Sequence, residues 1–492
     1  MLNGSRLRLS AAKRSFIVSL VGLAILAIAF SQSQAQTVIG TVAYDHPTGL
    51  TVNRYTYSLD VFQAFDPTIA GVFGSAAYKA HVAAMNAGIL RYHYAGEMDD
   101  STTDSSGWVV SPTTSSYHWD EVKIANALKD SYTYGPDRMV DIVNWPAYLD
   151  DGSGHLQTSQ YAEYAAFAAQ LVRIINIKLG HHVKYWEVFN ELDGPGNPYD
   201  GNMATAGKIY NQVAAAMKAV DPRILVGGPA FTRADLTNNV DDFFSVTAQT
   251  LDFTSLHSYS IGTTCGYDPD NKVVYDDAAV GWLDSSTIAQ FAKYSSRTIE
   301  EFHDEFNISY CPPDVRMTNE IGAVYDALAM VDIFHNGAYG SMAWNEADGW
   351  YGKLNNDANW TRRPASYLYQ YLNRDMQGAE ATTTSSDTEK VVLFAAQSRT
   401  MVHLMLINRT GSEQRIRLSF TGLPSGICAS TPFTAEQVSG AGGNNPGDVT
   451  YEALTTGSGY RLPRNTVTIL NLKVHDRDSG RLDHESSLGE HR

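Results

Sequence analysis

The sequence predicts an α/β fold, a (β/α)8 TIM barrel followed by a C-terminal β-sandwich, on three observations. From Tyr55 to Met376, short apolar runs alternate with amphipathic helical stretches, the pattern of βα units and a parallel sheet. Eight such runs can be counted, the number that closes a barrel. After Gln377 the helical period stops and short alternating runs broken by Gly, Asn and Pro take over, as antiparallel strands require.

In chain order, residues 1–35 read as a signal peptide. Arg6, Arg8, Lys13 and Arg14 precede the apolar run from Phe16 to Phe30, and Ser33-Gln34-Ala35 is a small-x-small cleavage site. A secreted or periplasmic location follows. The alternative is an uncleaved anchor, for which the run falls short of the roughly 20 residues of a spanning helix. Residues 36–54 form a strand segment that can join the sandwich. Barrel strands are expected at Tyr57 to Phe62, Ile89 to Tyr94, Met139 to Asn144, Tyr185 to Asn190, Ile224 to Gly228, Phe253 to His257, Thr298 to Glu305 and Gly340 to Trp344. Helices fall between them at Trp119 to Asp130, Ser159 to Leu179, Met203 to Val220, Val240 to Gln249, Ser286 to Tyr294, Asn319 to Asn336 and Ser366 to Asp375, completing a barrel over 55–376. The sandwich occupies 377–474, with strands at Lys390 to Ala396, Met401 to Asn408, Gln414 to Phe420 and Thr466 to Val474. Ser439 to Gly443 reads as a flexible loop, and the charged tail 475–492 as disordered.

Composition narrows the partners. Lys and Arg number 36 against 53 Asp and Glu, and the first 35 residues hold four of the bases and no acid, leaving 32 − 53 = −21 beyond them. That charge argues against nucleic acid or an anionic membrane surface and for a neutral substrate. No nucleotide fingerprint or ligand cluster appears, so neither an organic cofactor nor a metal is expected. The 28 Tyr and 8 Trp supply flat faces for sugar rings, although most aromatics in any domain are core.

The chemistry is concentrated in two glutamates 114 positions apart, Glu191 in Lys184-Tyr185-Trp186-Glu187-Val188-Phe189-Asn190-Glu191 and Glu305 in Glu301-Phe302-His303-Asp304-Glu305-Phe306-Asn307-Ile308-Ser309-Tyr310. Each lies at the carboxyl end of an expected strand, the fourth and the seventh, where a barrel keeps its reactive groups. Breaking a glycosidic bond takes one carboxylic acid to protonate the leaving oxygen and one carboxylate to attack or to activate water. The bland alternative is a pair of solvated rim acids.

These segments carry a family resemblance. The run ending in Asn190-Glu191 resembles the acid/base motif of clan A glycoside hydrolases, and Asp304 to Tyr310 resembles the nucleophile segment of glycoside hydrolase family 39, which includes β-xylosidases and α-L-iduronidases. Leu251 to Ser260, with His257 and Tyr259, is similar to that family's strand-six motif, Arg91 and His93 to its strand-two pair, and Trp344 to its strand-eight tryptophan. The resemblance implies a retaining double displacement: Glu305 attacks the anomeric carbon, and Glu191 serves first as acid and then as base. It further implies that Asn190 bonds the sugar 2-hydroxyl, that His257 and Tyr259 orient the nucleophile, that Arg91 keeps that carboxylate charged, and that Trp344 and Trp145 form the floor and wall of a pocket. The two carboxyl groups should then stand roughly 5 Å apart.

Departures from the family pattern are Leu192 after Glu191, where proline is common, and Asp304 before Glu305, where threonine is common. Neighbouring side chains of a strand face opposite ways, so Asp304 and Glu305 can both point inward only if the strand bulges. Cys265 lies eight residues past His257 and Cys311 six past Glu305; on neighbouring strands they would share the cleft rim and could form a disulfide, the alternative being two free thiols. Specificity falls to loops, notably Met98 to Tyr117 and Gly262 to Asp284, whose Asp268, Asp270, Asp276 and Asp277 disfavour an anionic sugar. The expected substrate is a neutral β-linked sugar, xylose first. An endo-acting hydrolase of a bacterial exopolysaccharide and a catalytically silent sugar-binding barrel are the alternatives.

Overall fold

The computed structural model describes residues 36–62, 75–93, 95, 107–113, 116–262, 268–311 and 314–473. The expected signal segment, the tail 475–492 and Cys265 lie outside them. No helix among the described residues is long and apolar enough to cross a membrane.

Strand β1 (Val38–Val52) belongs to the C-terminal sheet and delivers the chain to the barrel. The barrel strands are β2 (Ser58–Val61), β3 (Ile89–Tyr92), β6 (Asp137–Ile142), β7 (Tyr185–Val188), β8 (Leu225–Gly227), β9 (Phe253–Tyr259), β10 (Glu300–Asn307) and β11 (Gly340–Ala343); the pair β4 (Val109–Thr113) and β5 (Ser116–Trp119) forms a separate antiparallel ribbon. The eight strands are parallel neighbours in the order β8-β7-β6-β3-β2-β11-β10-β9. A bridge between Phe231 and Leu256, with Phe231 N–H donating to Ser255 O and His257 N–H to Phe231 O, joins the two ends. This is the predicted (β/α)8 barrel.

Strand periodicity stacks the interior in layers. At the amino-terminal end Tyr55, Ile89, Met139, Tyr185, Phe253, Phe302 and Met342 form a closed apolar plug. Two residues further along five of these strands, the inward positions hold Arg91, Asp141, Glu187, Ser255 and Asp304, all buried. A polar layer therefore rests on an apolar one, and the site lies above both. Outward residues such as Leu59, Leu90, Val140, Trp186 and Val226 pack under the helices.

Those helices are α1 (Ala76–Met85), α2 (Glu121–Leu128), α3 (Tyr161–Val172), α4 (Met203–Val220), α5 (Thr237–Thr247), α6 (Trp282–Phe291), α7 (Glu320–His335) and α8 (Pro364–Asp375). Local chemistry sets their starts: the Ser75 hydroxyl accepts from Tyr78 N, Asp120 from Lys123 N and Asn319 from Ile321 N, and Pro364 opens α8 with its φ already helical. Asp120 caps α2 because Trp119 still belongs to β5, so the helix begins two residues later than expected. The carboxyl half of the expected Met98 to Tyr117 loop is the β4–β5 ribbon.

Beyond α8 come β12 (Gly378–Ser385), β13 (Val391–Gln397), β14 (Met401–Asn408), β15 (Gln414–Thr421), β16 (Pro432–Ser439), β17 (Gly442–Asn444), β18 (Val449–Thr450), β19 (Tyr460–Leu462) and β20 (Thr466–Lys473). With β1 they form one ten-stranded sheet in which only the β1–β15 pairing is parallel, folded over a core that includes Val38, Leu393, Leu404, Leu418, Phe433 and Leu470. Ser439 to Gly443, expected to be a flexible loop, is the turn of the β16–β17 hairpin, with Ser439 opposite Gly442. Helix α7 is apolar on nearly every side because it lies between barrel and sheet. Met405, Ile407, Val438, Val467 and Ile469 of the sheet join the barrel's own apolar cluster.

Candidate active site

The site is built on two backbone irregularities. The first follows β7. Phe189 has φ +77° and Glu191 φ +56°, left-handed values that cost a side-chain-bearing residue free energy. Burial of the Phe189 ring against Tyr164, at 6.0 Å between centroids, and the Glu191 N–H to Ala230 O bond of 3.0 Å offset that cost. The turn carries Asn190 and Glu191 over the barrel mouth. The second irregularity is in β10, where His303 pairs with Leu256 but Glu305 pairs with His257, so two residues of β10 oppose one of β9. This bulge sends Asp304 and Glu305 inward together. Asp304 is fully buried beneath, and Glu305 borders the cavity.

That cavity, about 1200 Å³, is lined by Glu191, Glu305, Asn190, His257, Tyr259, His93, Trp344 and Trp145 among others. Arg91 lies underneath rather than in the wall. One carboxylate oxygen of Glu191, one of Glu305 and a ring nitrogen of His257 come within 4.8 Å of one another. A cation could take these three donors only by displacing the hydrogen bond that His257 Nδ1 makes with Glu191 Oε1 at 2.8 Å. Tyr259 donates its hydroxyl to Glu305 Oε1. The ring of His93 meets that of Trp344 edge-on at 5.1 Å, and Trp344 meets Phe62 at 5.5 Å. Trp145 Nε1 donates to Asp150 at 3.3 Å, and its ring is wedged among Tyr164, Phe189 and Tyr199.

Two expected roles change. His257 was expected to orient the nucleophile; its hydrogen bond goes to Glu191, and Glu305 Oε2 is 3.7 Å away. Arg91 was expected to hold Glu305 charged, but its guanidinium serves five carboxyls: Glu187 at 2.7 Å, Asp60 and Asp141 at 3.0 Å, Asp304 and Glu305 at 3.4 Å. It also donates to Asn190 Oδ1 at 2.8 Å. One cation cannot ionise so many buried acids. Burial pushes Asp60, Asp141 and Asp304 well above the usual carboxylate range, while for Glu187 the Arg91 charge and the Ser255 hydroxyl overcome burial and hold it below. Burial also raises Glu305, aided by Glu191 and opposed by His257 and Arg91. Burial would raise Glu191 too, but His257 and the Thr232 hydroxyl bring it below its ordinary value, and the Glu305 and Glu191 carboxylates in return lift His257 above its own. Glu191, His257 and Glu305 therefore titrate as one set with shared protons. His93, desolvated beside Arg91, is held neutral.

Asp60, Asp141, Glu187, Ser255 and Thr232 complete the site without having been expected. For the three acids a signal was present, a single carboxyl inside an otherwise apolar strand; for Ser255 and Thr232 there was none. Cys311 is disulfide-bonded and Cys428 is a free exposed thiol, while Cys265 lies outside the described residues. None of Asp268, Asp270, Asp276 or Asp277 lines the cavity. Lys272 pairs with Asp268 and Asp277 at 3.0 and 2.5 Å, and Arg316 approaches Asp270 at 3.7 Å.

Comparison with known proteins agrees with this arrangement. Residues 155–346 match the family described as glycosyl hydrolases family 39. A β-xylosidase of Caldicellulosiruptor saccharolyticus is 31% identical over 102 residues, 20% of this chain and 21% of that protein, so the match spans about a fifth of the relative's length. Among solved structures, a monomeric β-xylosidase from Caulobacter crescentus CB15 superposes with a TM-score of 0.63 at 16% identity, covering 88% of this chain and 99% of that one. The GH39 enzyme from Xanthomonas axonopodis pv. citri does so with 0.63 at 16%, covering 90% and 98%. At such identities these structures speak for the shared barrel-and-sheet fold alone. Residues 155–346, which hold both glutamates and the strands between them, are therefore the part of the chain that is similar to the glycosyl hydrolases of family 39.

Proposed function

We propose that the protein is an exported, retaining β-glycosidase acting on neutral β-linked sugars, β-xylosides first. The observation that carries the reading is the separation of Glu191 and Glu305, with a carboxylate oxygen of each within 4.8 Å of the other. Direct attack on the anomeric carbon needs about 5–5.5 Å between the carboxyl groups, whereas a water interposed for inversion needs about 6.5–9.5 Å. In this mechanism Glu305 bonds to the anomeric carbon as Glu191 gives a proton to the departing oxygen. Water then displaces Glu305, and its proton goes to Glu191. Tyr259 steadies the attacking carboxylate. Asn190, whose Oδ1 is taken by Arg91, has its Nδ2 left for the sugar 2-hydroxyl. Trp344 supplies the floor.

The neutral substrate is supported by the cavity's own charges, Asp150, Glu191, Glu305 and Asp348 against Arg233, which already pairs with Asp235 at 2.9 Å. A cavity of about 1200 Å³ also exceeds the roughly 300–1,000 Å³ of ordinary small-molecule sites, which favours a second reading in which a longer oligosaccharide binds and is cut internally. Export is supported by the basic and apolar pattern of residues 6–35.

A panel of aryl β-glycosides of xylose, glucose, galactose, arabinose and glucuronate tests the proposal. Phenol release should be fastest from the xyloside, NMR should show the β-anomer as the first product, Glu305→Gln should abolish turnover and Asp304→Asn only weaken it. An α-anomer product, or undiminished release by the Glu305 variant, rejects the mechanism. Binding without release makes the protein a silent barrel, and a ladder of internal cleavage products from a polysaccharide selects the second reading.

A further inference from the structure

The double displacement leaves one buried carboxyl without a task. Asp304 is fully buried, and neither of its oxygens is in a formed hydrogen bond; His257 Nε2 likewise has no hydrogen-bond partner. A proton on Asp304 lets it donate to Glu187. Its Oδ2 lies 3.4 Å from Arg91 Nε, and its Oδ1 faces His257 Nε2 at 3.5 Å. On the opposite edge of that imidazole, Nδ1 stands 2.8 Å from Glu191 Oε1. One fully buried ring thus spans the acid/base and a carboxyl placed there by the β10 bulge. The other charged groups around it are Arg91, Glu187 and Glu305, with Asp60 and Asp141 beyond.

We propose that Asp304 is a positioning residue for the acid/base, accepting from His257 Nε2–H so that Nδ1 and Glu191 are left to share one transferable proton. The inference rests on reading Glu191 as the acid/base. With Nε2–H engaged, the pair exists either as a protonated Glu191 donating to Nδ1 or as an imidazolium donating to an ionised Glu191, and in both forms it holds the proton that the leaving oxygen takes. Without the acceptor, a neutral imidazole places its only N–H at Nδ1, donating to an ionised Glu191, and that proton cannot leave without creating an imidazolate. The balance over the cycle is simple. As Glu305 bonds to the anomeric carbon, the old C–O bond leaves its electron pair on the departing oxygen, which takes the proton from the pair. When water bonds to that carbon, its proton returns to the pair and Glu305 departs with the electrons of its bond. Asp304 gains and loses nothing.

The test uses the full chain with Asp304→Leu, which removes the acceptor, and Asp304→Asn, which keeps one. On phenyl β-xyloside, whose leaving group needs a proton, the Leu variant should lose about 30-fold or more in kcat/KM, within the span that general-acid catalysis supplies. On 2,4-dinitrophenyl β-xyloside, which departs unprotonated, it should lose less than about 3-fold, and the Asn variant should stay within about 5-fold of the parent on both. Equal losses on the two substrates would assign Asp304 to the nucleophile or the fold and overturn the proposal. Nitrogen-15 NMR of His257 needs no turnover: the substrate-free parent should carry a proton on Nε2, and the Leu variant should carry one on Nδ1 alone. An Nε2–H that persists in the Leu variant overturns the proposal too. If the parent cleaves neither xyloside, the glycosidase reading fails, and the NMR measurement still decides the tautomer.

Discussion

Asp193, two residues past Glu191, shows at the residue scale how burial sets a carboxyl's behaviour. It is sealed from solvent and accepts from Thr232 N at 3.0 Å and Arg233 N at 2.9 Å, pinning the loop that brings the Thr232 hydroxyl to Glu191. Burial outweighs those bonds and raises it to about 6 from an ordinary 3.8. A folded value above the unfolded one means that the folded state binds the proton more tightly. Its contribution is therefore present in full below about pH 4 and lost as pH rises through about 6. Asp193→Asn, uncharged throughout, isolates the effect. The stability of the parent minus that of the variant should fall by about 2 kcal/mol between pH 4 and pH 7, read from urea unfolding at each pH. A difference flat with pH would contradict this account. Glu191 and Glu305 were legible in the sequence because the chemistry proposed for them constrains residue type. The acids that share Arg91 were less so, since a lone Asp60, Asp141 or Glu187 in a strand does not reveal which cation it meets, and the small hydroxyls of Ser255 and Thr232 look like any others.

At the scale of the element, strand alternation made the layered interior legible, because inward positions recur every second residue from Ile89 to Arg91 and from Tyr185 to Glu187. The bulge in β10 could be foreseen only as a condition, because it is a property of the register between two strands and not of one. The β4–β5 ribbon was missed for a related reason: its Ser- and Thr-rich sequence pairs only with itself. How tightly β3 is seated is testable at Gly88, the residue before it. A Cβ there would fall 1.7 Å from the Arg54 carbonyl oxygen and 2.5 Å from its carbon, backbone atoms that cannot step aside. Gly88→Ala must push β3, and Arg91 with it, out of register with β2. We expect a loss of about 3 kcal/mol or more in a thermal melt, with activity falling alongside. Gly411→Ala, whose Cβ would meet nothing within 4 Å, should leave the melt unchanged. A Gly88 variant as stable as the Gly411 control would show that the close approach is relieved at little cost.

For the whole molecule, the change of texture after Gln377 made a second unit legible but hid how completely it merges with the first. Strand β1 starts the described chain inside the C-terminal sheet, between β12 and β15, so the sheet is complete only when residues 38–52 join the strands from 378 onward. Across the seam the Phe334 and Phe394 rings meet edge-on at 5.6 Å, Arg374 bonds Glu436, and Asn471 Nδ2 donates to Asp375 at 2.9 Å. Phe394, Met405, Ile407, Val438, Val467 and Ile469 are at most 1% exposed and belong to the barrel's apolar cluster. At about 1.5–3 kcal/mol for each such side chain, their burial is comparable with the about 5–15 kcal/mol that holds a typical domain folded. Residues 55–376 expressed alone should therefore fail to give a soluble folded barrel, because α7 and α8 would present to water the apolar faces that the sheet covers. The full chain should unfold in one transition, seen alike by barrel tryptophan fluorescence and by far-ultraviolet circular dichroism. Two separated transitions, or a soluble 55–376 fragment with a cooperative melt, would mean that the barrel holds itself together and the sheet is an appendage.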